Sequence, residues 1–470
     1  MINLRLIYDH ENYLNDVQDI PRAFSPYINI CEDAEHYLKW NYVYSDGKFT
    51  LKTESDLWQD KTFTTYVDDA NIIEYKKITK MFIKNSLYEY LSEVLQIKLP
   101  YGSLTGVRPT KLYYELSKKM EYPKQYLVEK YGVSQEKADL IESCVINQKG
   151  YINTDSDDVG LFLNIPFCPS RCSYCSFIST EVWRVKKELP EYVKCVNEEL
   201  ETTLRILLEH NFKVRSVYVG GGTPTSIGYE LLEKIISPLS RFGVEFTVEA
   251  GRPETVTEEI LDVFKRNNVT RISINPQTFS DITLKKIGRN HTVEDIYKCF
   301  SLVKDRGFSV NADLIAGLPG EKLEDFVFSV NNILDLSPDN ITIHTLALKR
   351  GSDFATSGMS KKEFGTVAEM VEFGHKSMKT AGYVPYYMYR QKNMEDNLEN
   401  TGYTKQGKQC VYNIDMMEES CSVIASGAGG MSKKTDGNVI SRLSNPKGFR
   451  EYCTRIESIC DAKYKFFTQK

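Results

Sequence analysis

No uninterrupted apolar run in these 470 residues approaches the eighteen or so that a membrane-crossing helix needs. Strong charge of one sign is missing as well. A net charge of −5 gives no reason to expect nucleic acid or an acidic membrane as partner, so an anionic substrate must find local basic groups. The opening residues Met1 to Ile7 lack the cationic region, apolar stretch and small-residue cleavage site of a secretory leader. Eleven cysteines, an odd number scattered along the chain, do not form a disulfide framework. A reducing, cytoplasmic location is expected. There is no internal repeat or low-complexity segment, and the six histidines show no metal-ligand spacing. His291 follows the Arg289-Asn290 pair closely, and a loop hydrogen bond explains it as well as a site role does. With 41% hydrophobic and 26% charged residues the composition is that of a globular protein, long enough for two or three domains.

Residues 1 to about 70 alternate apolar and polar side chains, which predicts a small antiparallel sheet. Over 71–95 the residues Ile73, Tyr75, Ile78, Met81, Phe82, Leu87 and Leu91 recur at helical spacing. A turn at 100–102 and two further helical stretches to about Gln148 follow. Arg108 and Pro109 either pin a loop or start a helix. The polar, acidic run 153–158 marks a boundary, beyond which strand and helix patterns alternate as in a parallel sheet. Strands are predicted at 160–165, 214–219, 244–249, 270–275, 309–315 and 341–347, with amphipathic helical sequence such as 189–210 between them. The fold class is α/β: a small α+β domain at 1–152, six β-α units at 153–350, and a mainly helical and irregular domain at 351–470 that closes the open side.

The most informative feature is Cys168, Cys172 and Cys175, spaced C-x3-C-x2-C just after the first strand. Three thiolates at this spacing can hold three corners of a cubane iron–sulfur cluster, leaving one iron open to a chelating molecule. The alternatives are buried structural thiols or a zinc site, which would want a fourth ligand close by. Other chemistry-bearing residues fall at the strand ends, where barrel folds place active sites. The second strand runs into Gly220, Gly221, Gly222 and Thr223, the third ends at Glu249, the fourth leads to Gln277 and the fifth carries Asp313. Consecutive glycines allow close approach of a ligand, or simply a tight turn. Glu249 and Asp313 suit ribose hydroxyls, or a helix cap or surface. Arg289 can clamp a carboxylate, or stand as a surface charge.

These cysteines resemble the signature of the radical S-adenosylmethionine (SAM) superfamily. The wider series of Phe162 to Cys168, Gly220 to Thr225, Val248-Glu249, Arg271 to Phe279, Gly288-Arg289 and Ala312 to Pro319 is similar to the oxygen-independent coproporphyrinogen III dehydrogenase family. Gly102 to Leu112 and Tyr386 to Asn393 resemble its longer HemZ-type branch, which has an added N-terminal domain. The resemblance implies a partial (β/α)6 barrel and a 4Fe–4S cluster on Cys168, Cys172 and Cys175. It also implies SAM contacts from Phe162, Tyr174, Gly221, Gly222, Thr223, Glu249, Gln277, Arg289, Asp313 and Ala347. A second SAM would draw on Met431. Phe162 and Asn164 stand where the family has Tyr and His, and Phe177 replaces an extra Cys.

The implied activity is oxygen-independent oxidative decarboxylation of coproporphyrinogen III propionates to vinyl groups, in haem biosynthesis, by an oxidoreductase using an adenosyl radical. The implied partners are a porphyrinogen and a reductant such as flavodoxin or ferredoxin. Four propionates call for cationic donors, with Arg184, Lys349, Arg350, Arg390 and Lys392 as candidates. A haem chaperone and a radical SAM methyltransferase are the competing readings. Against the chaperone, residues 411–417 lack the His and Trp that its branch carries. Cys410, Cys421, Cys453 and Cys460 are expected as separate thiols, the last two on one helix face, rather than an auxiliary cluster.

Overall fold

The computed structural model describes residues 1–8, 17–25, 27–66, 72–106, 108–153, 155–177, 179–347, 365–391, 394–436 and 439–468. The alternating pattern near the N-terminus builds strands, but they are not all antiparallel. Strands β1 (Ile2–Tyr8), β2 (Ile28–Ile30), β3 (His36–Ser45), β4 (Lys48–Ser55) and β5 (Lys61–Tyr66) lie in the order β2-β1-β3-β4-β5. β1 runs parallel to both its neighbours, and only β3-β4-β5 form an antiparallel meander. The reason lies in the connections. Helix α1 (Asp19–Ala23) sits between β1 and β2, so the chain crosses over, whereas Asp46 and Gly47 turn β3 into β4 with φ of 51° and 73°. Ile83, Leu87 and Leu91 of helix α2 (Ile72–Leu95) join Leu4, Leu38, Trp40 and Leu51 of the sheet in one apolar core.

Three helices follow where two are expected: α3 (Pro109–Ser117), α4 (Pro123–Tyr131) and α5 (Gln135–Gln148). Pro123 opens a new helix and Gly132, at φ 68°, ends it. Pro109 is the first residue of α3, so the Arg108-Pro109 pair starts a helix. By internal contact the chain falls into two compact units, Met1–Glu142 with Asp396–Leu398, and Ser143–Glu395 with Glu399–Lys470.

The second unit is built on strands β6 (Asp158–Ile165), β7 (Phe167–Cys168), β8 (Thr180–Glu181), β9 (Lys213–Gly221), β10 (Glu245–Glu249), β11 (Arg271–Ser273), β12 (Ser309–Ala316) and β13 (Asn340–Thr345). The intervening helices are α6 (Leu189–Glu209), α7 (Tyr229–Ile236), α8 (Glu258–Arg266), α9 (Asp281–Lys286), α10 (Val293–Asp305) and α11 (Leu323–Leu336). All six predicted strands are present, paired in parallel and in sequence order β6-β9-β10-β11-β12-β13. Neighbouring order with a helix after each strand is what right-handed crossovers produce. Their apolar residues, including Leu161, Leu163, Val217, Val219, Val248, Ile272, Leu314 and Ile343, are buried.

The segment expected to be helical and irregular also supplies sheet. After α12 (Thr366–Thr380) come β14 (Val384–Tyr389), β15 (Asn400–Thr404), α13 (Val411–Glu418), β16 (Ser422–Ser426), β17 (Met431–Asp436) and β18 (Val439–Ser444), then α14 (Phe449–Thr454) and α15 (Ile456–Thr468). They extend one eleven-stranded sheet at both edges: β14-β15 beyond β13, and β16-β17-β18 beyond β6. Their pattern hides this. Pro385 and a register shift interrupt β14, and β17-β18 is a polar, largely exposed hairpin without apolar alternation. β16 joins β6 in parallel, Ser422 to Val159 through Ser426 to Leu163. Among the described residues, no helix is long and apolar enough to cross a membrane.

Candidate active site

The cysteine loop leaves β6 at Ile165 and is framed by the short pair β7-β8, Phe167 with Thr180 and Cys168 with Glu181. All three thiols are half-buried. Burial pushes the Cys168 and Cys175 thiols up, opposed at Cys168 by the Thr223 hydroxyl, whose Oγ1 lies 3.7 Å from its sulfur. Among the described residues, no three His, Cys, Asp or Glu side chains stand where one metal ion could take them, as a zinc site would require.

The glycine triplet is needed for packing of the chain on itself. A Cβ on Gly220 would stand 2.8 Å from the Glu249 carboxyl carbon, one on Gly221 would collide with the Asn164 side chain, and one on Gly222 with the Phe167 carbonyl. Gly221 also has φ 110°, which a side chain would strain. Without side chains here, the end of β9 lies directly against Asn164, Phe167 and Glu249. Gly222 N–H donates to Ile165 O at 2.8 Å, and Thr223 N–H to Phe167 O at 2.6 Å. Cysteine loop and glycine turn are thus one hydrogen-bonded body.

Glu249 closes β10 beside that turn and accepts from the Tyr218 hydroxyl at 2.6 Å. Burial lifts its carboxyl to about 7; the Tyr218 hydrogen bond opposes this and the charge of Asp313 adds to it. Asp313, on β12, stands 3.5 Å from His344 Nε2. Phe162 shares this interior rather than the cysteine loop. Its ring stacks on Tyr412 at 6.0 Å, and Tyr412 on Tyr218 at 4.2 Å. Tyr386, Tyr387 and Tyr389 continue the aromatic cluster.

Arg289 is buried and spans three loops. Its guanidinium donates to Gly251 O at 3.0 Å, Asn275 O at 2.6 Å and the Tyr174 hydroxyl at 3.1 Å. Burial pushes the Tyr174 phenol well up. Gln277 stands at φ 71°, an unfavourable backbone region for a side chain, held by its N–H to Asp313 O at 2.9 Å. Its side-chain oxygen, the Asn275 side-chain oxygen and Arg289 Nε are buried with no protein partner. Orphaned polar atoms around three thiols, an acid and a strained turn fit a polar nucleotide-like ligand and a metal–sulfide centre.

The remaining predicted residues disperse. Ala347 follows β13 and bridges Met394. Met431 begins β17, 43% exposed, while Gly427 to Gly429 of the preceding loop reach Asn164 at the end of β6. Arg184 pairs with Glu181 at 2.7 Å on the surface, and Arg390 is buried directly after β14. Lys349, Arg350 and Lys392 lie outside the described residues. Cys453 and Cys460 occupy consecutive helices, α14 and α15, rather than one helix face. Cys410 lies 3.3 Å from Glu245 and Cys421 3.3 Å from the Asp158 carbonyl.

Sequence reasoning missed Arg252 and Glu254; of the two readings of His291, the loop hydrogen bond is present, to Glu254. Arg252 is 3% exposed and reaches Cys172 Sγ at 3.4 Å. Glu254 bonds His291 Nδ1 at 2.7 Å. Burial alone would raise the Glu254 carboxyl, but the His291 hydrogen bond and the Arg252 charge hold it at about 2. The available signal was an arginine between Gly251 and Pro253, immediately beyond a strand end that carries Glu249.

Residues 165–332 match the Radical SAM superfamily. Over 411 residues the chain is 38% identical to the oxygen-independent coproporphyrinogen-III oxidase-like protein HemZ of Bacillus subtilis, covering 82% of this chain and 81% of that one. It is 27% identical to the heme chaperone HemW of Escherichia coli over 328 residues, 66% of this chain and 82% of that one. Among solved structures, coproporphyrinogen III oxidase (HemN) from Escherichia coli superposes with a TM-score of 0.53 at 18% identity, over 67% of this chain and 72% of that one. That last likeness is one of fold.

Proposed function

This chain belongs to the radical SAM superfamily, in the branch of the HemZ oxygen-independent coproporphyrinogen-III oxidase-like proteins, and from that premise we propose that it oxidatively decarboxylates porphyrinogen propionates. Members of the superfamily use a 4Fe–4S cluster and SAM, which supply one-electron cleavage and hydrogen-atom abstraction. In this reading Cys168, Cys172 and Cys175 hold three irons. Gly221, Gly222 and Thr223 fix the wall beside them. Glu249 and Asp313 accept ribose hydroxyls, and Arg289 locks Tyr174 and the Gly251 and Asn275 loops around the adenosyl moiety. Met431 as a second SAM contact, and Arg350 and Lys392 as propionate donors, belong to the same reading. Arg184 and Arg390 are weaker candidates, one occupied by Glu181 and the other buried.

The observation that carries the proposal is the joining of the thiol loop to Glu249 through the glycine turn, within a chain 38% identical to the HemZ protein. The aromatic cluster of Phe162, Tyr218, Tyr389 and Tyr412 beside Glu249 supports a large flat substrate such as a tetrapyrrole. Similarity to the heme chaperone HemW supports a second reading, in which the chain carries haem.

The test is anaerobic reconstitution with iron, sulfide, SAM, a low-potential reductant and coproporphyrinogen III. Release of 5′-deoxyadenosine with loss of two carbon dioxides from the substrate is expected. Haem bound stably with no SAM cleavage would favour the carrier, and methyl transfer from labelled SAM the methyltransferase. A chain that takes up no cluster would end the proposal.

A further inference from the structure

Arg252 is enclosed, and its guanidinium makes four hydrogen bonds. Nε donates to Glu254 Oε1 at 2.9 Å, and Nη2 donates to Ser170 Oγ at 2.8 Å while standing 2.8 Å from the same Glu254 oxygen as an ion pair. Nη1 donates to Ser170 O at 3.3 Å and to Cys172 Sγ at 3.4 Å. A buried guanidinium is costly unless paired and hydrogen-bonded, and this one is paired with Glu254 and makes four hydrogen bonds. Three of its four hydrogen bonds hold two loops together. The fourth is directed at a thiol.

Behind it lies a counter-charge and a support. The Glu254 side chain, 24% exposed, turns its second oxygen to His291 Nδ1 at 2.7 Å, and the His291 side chain is fully buried. His291 and Glu254 fix Arg252, and Arg252 places positive charge on the sulfur. Cys172, Arg252, Glu254 and His291 form one chain, its positive end at the thiol and its negative centre one residue further away. The charge of Arg252 also acts on Cys168 and that of Arg171 on Cys175, but the Arg252 hydrogen bond is to Cys172, while Cys168 has the neutral Thr223 hydroxyl.

We infer that Arg252 is a positioning residue that sets the reduction potential of the iron–sulfur cluster through its hydrogen bond to Cys172, with Glu254 limiting the effect. This rests on the cluster reading proposed above. One-electron reduction takes the cluster from its 2+ to its 1+ state, the electron coming from dithionite in the test, and adds negative charge to the iron–sulfur core and its thiolates. A cationic N–H donor at a ligand sulfur favours the reduced form, because hydrogen bonds to sulfur and local charge tune such clusters. The two neighbours therefore act in opposite directions. Removing the donor disfavours reduction, and removing the carboxylate behind it favours reduction.

The experiment is an EPR-monitored redox titration of the reconstituted full chain, with iron and sulfide counted, for wild type, Arg252→Gln and Glu254→Gln. At a fixed solution potential, R252Q should hold about tenfold less reduced cluster relative to oxidised, a drop of about 59 mV for a one-electron couple. E254Q should shift the other way. Loaded R252Q with an unchanged potential overturns the inference while leaving the cluster reading intact. If R252Q does not load, E254Q decides: a potential unchanged or lowered overturns it. A wild-type chain that binds no cluster refutes the reading beneath.

Discussion

Replacing Lys463 by Met tests whether the buried pair between α6 and α15 behaves as its geometry requires. Lys463 on α15 and Glu199 on α6 are 2.7 Å apart, with side chains 1% and 0% exposed. The ammonium donates to Glu199, Ser426 Oγ at 2.9 Å and Thr203 Oγ1 at 3.2 Å, so its three protons are used. Burial draws its pKa down, and the Glu199 charge opposes this. Glu199 also accepts from Gly427 N–H at 2.7 Å, Asn445 Nδ2 at 2.8 Å and the Tyr452 hydroxyl at 2.5 Å. Losing one partner of a sealed pair costs about 3–5 kcal/mol, mainly for the charge left behind. Three donors stay on Glu199, and the Ser426 and Thr203 hydroxyls can bond each other at 3.2 Å. The lower end, about 3 kcal/mol, is therefore expected for K463M. Lys463→Met with Glu199→Gln removes the stranded charge and should recover about 2 kcal/mol of that loss. Hydrogen exchange of peptides spanning 189–209 and 422–430, with thermal unfolding, reads both values within this unit. A single-variant loss under about 1 kcal/mol, or a double variant costing the sum of the two singles, would refute the reasoning.

Three further outcomes follow from the site. Gly222→Ala should fold but take up about half the wild-type iron or less, because its methyl displaces Phe167 next to Cys168; full loading would contradict this. Arg289→Lys cannot bridge Gly251, Asn275 and Tyr174, and should lose about 2 kcal/mol of stability and much of the SAM affinity measured by equilibrium dialysis. Affinity within twofold of wild type would count against it. The Glu249 carboxyl, at about 7 in the fold, lies above its unfolded value of about 4.3, so its contribution to stability is complete below pH 4.3 and is lost as pH rises through 7. Glu249→Gln should therefore flatten the fall in stability of the cluster-free chain between pH 5 and 8, by about 1–3 kcal/mol. An unaltered pH profile would show that this carboxyl is not perturbed.

The six parallel strands were legible because each is a short, largely apolar run, most of them leading into glycine, proline or a polar residue, and neighbouring order follows once helices separate them. Cys168, the glycine triplet and Glu249 were legible for the same reason: strand ends share one edge of a parallel sheet. Arg289, beyond helix α9, was singled out by resemblance to a family motif. The first sheet was misread because alternation reports a half-buried strand but not its direction; the crossover through α1 decides that. β14 to β18 were missed because pairing partners, not their own pattern, make them strands. Arg252 could not be assigned from sequence, since its meaning depends on a bond to Cys172, eighty positions away. Nor did Gly220 to Gly222 declare which atoms press against them. They were expected to make room for a ligand, and their Cβ directions meet the chain itself.

The pairing of β16 with β6 has a consequence for biosynthesis. The strand that leads into the thiol loop leaves the ribosome about 260 residues before the strand that covers its outer edge. At typical elongation rates that interval is on the order of ten to fifty seconds. Throughout it the nascent chain presents an open strand edge on β6, beside the strand end that leads into the thiol loop. Protection of that edge from aggregation is therefore tied to synthesis of Ser422–Ser426.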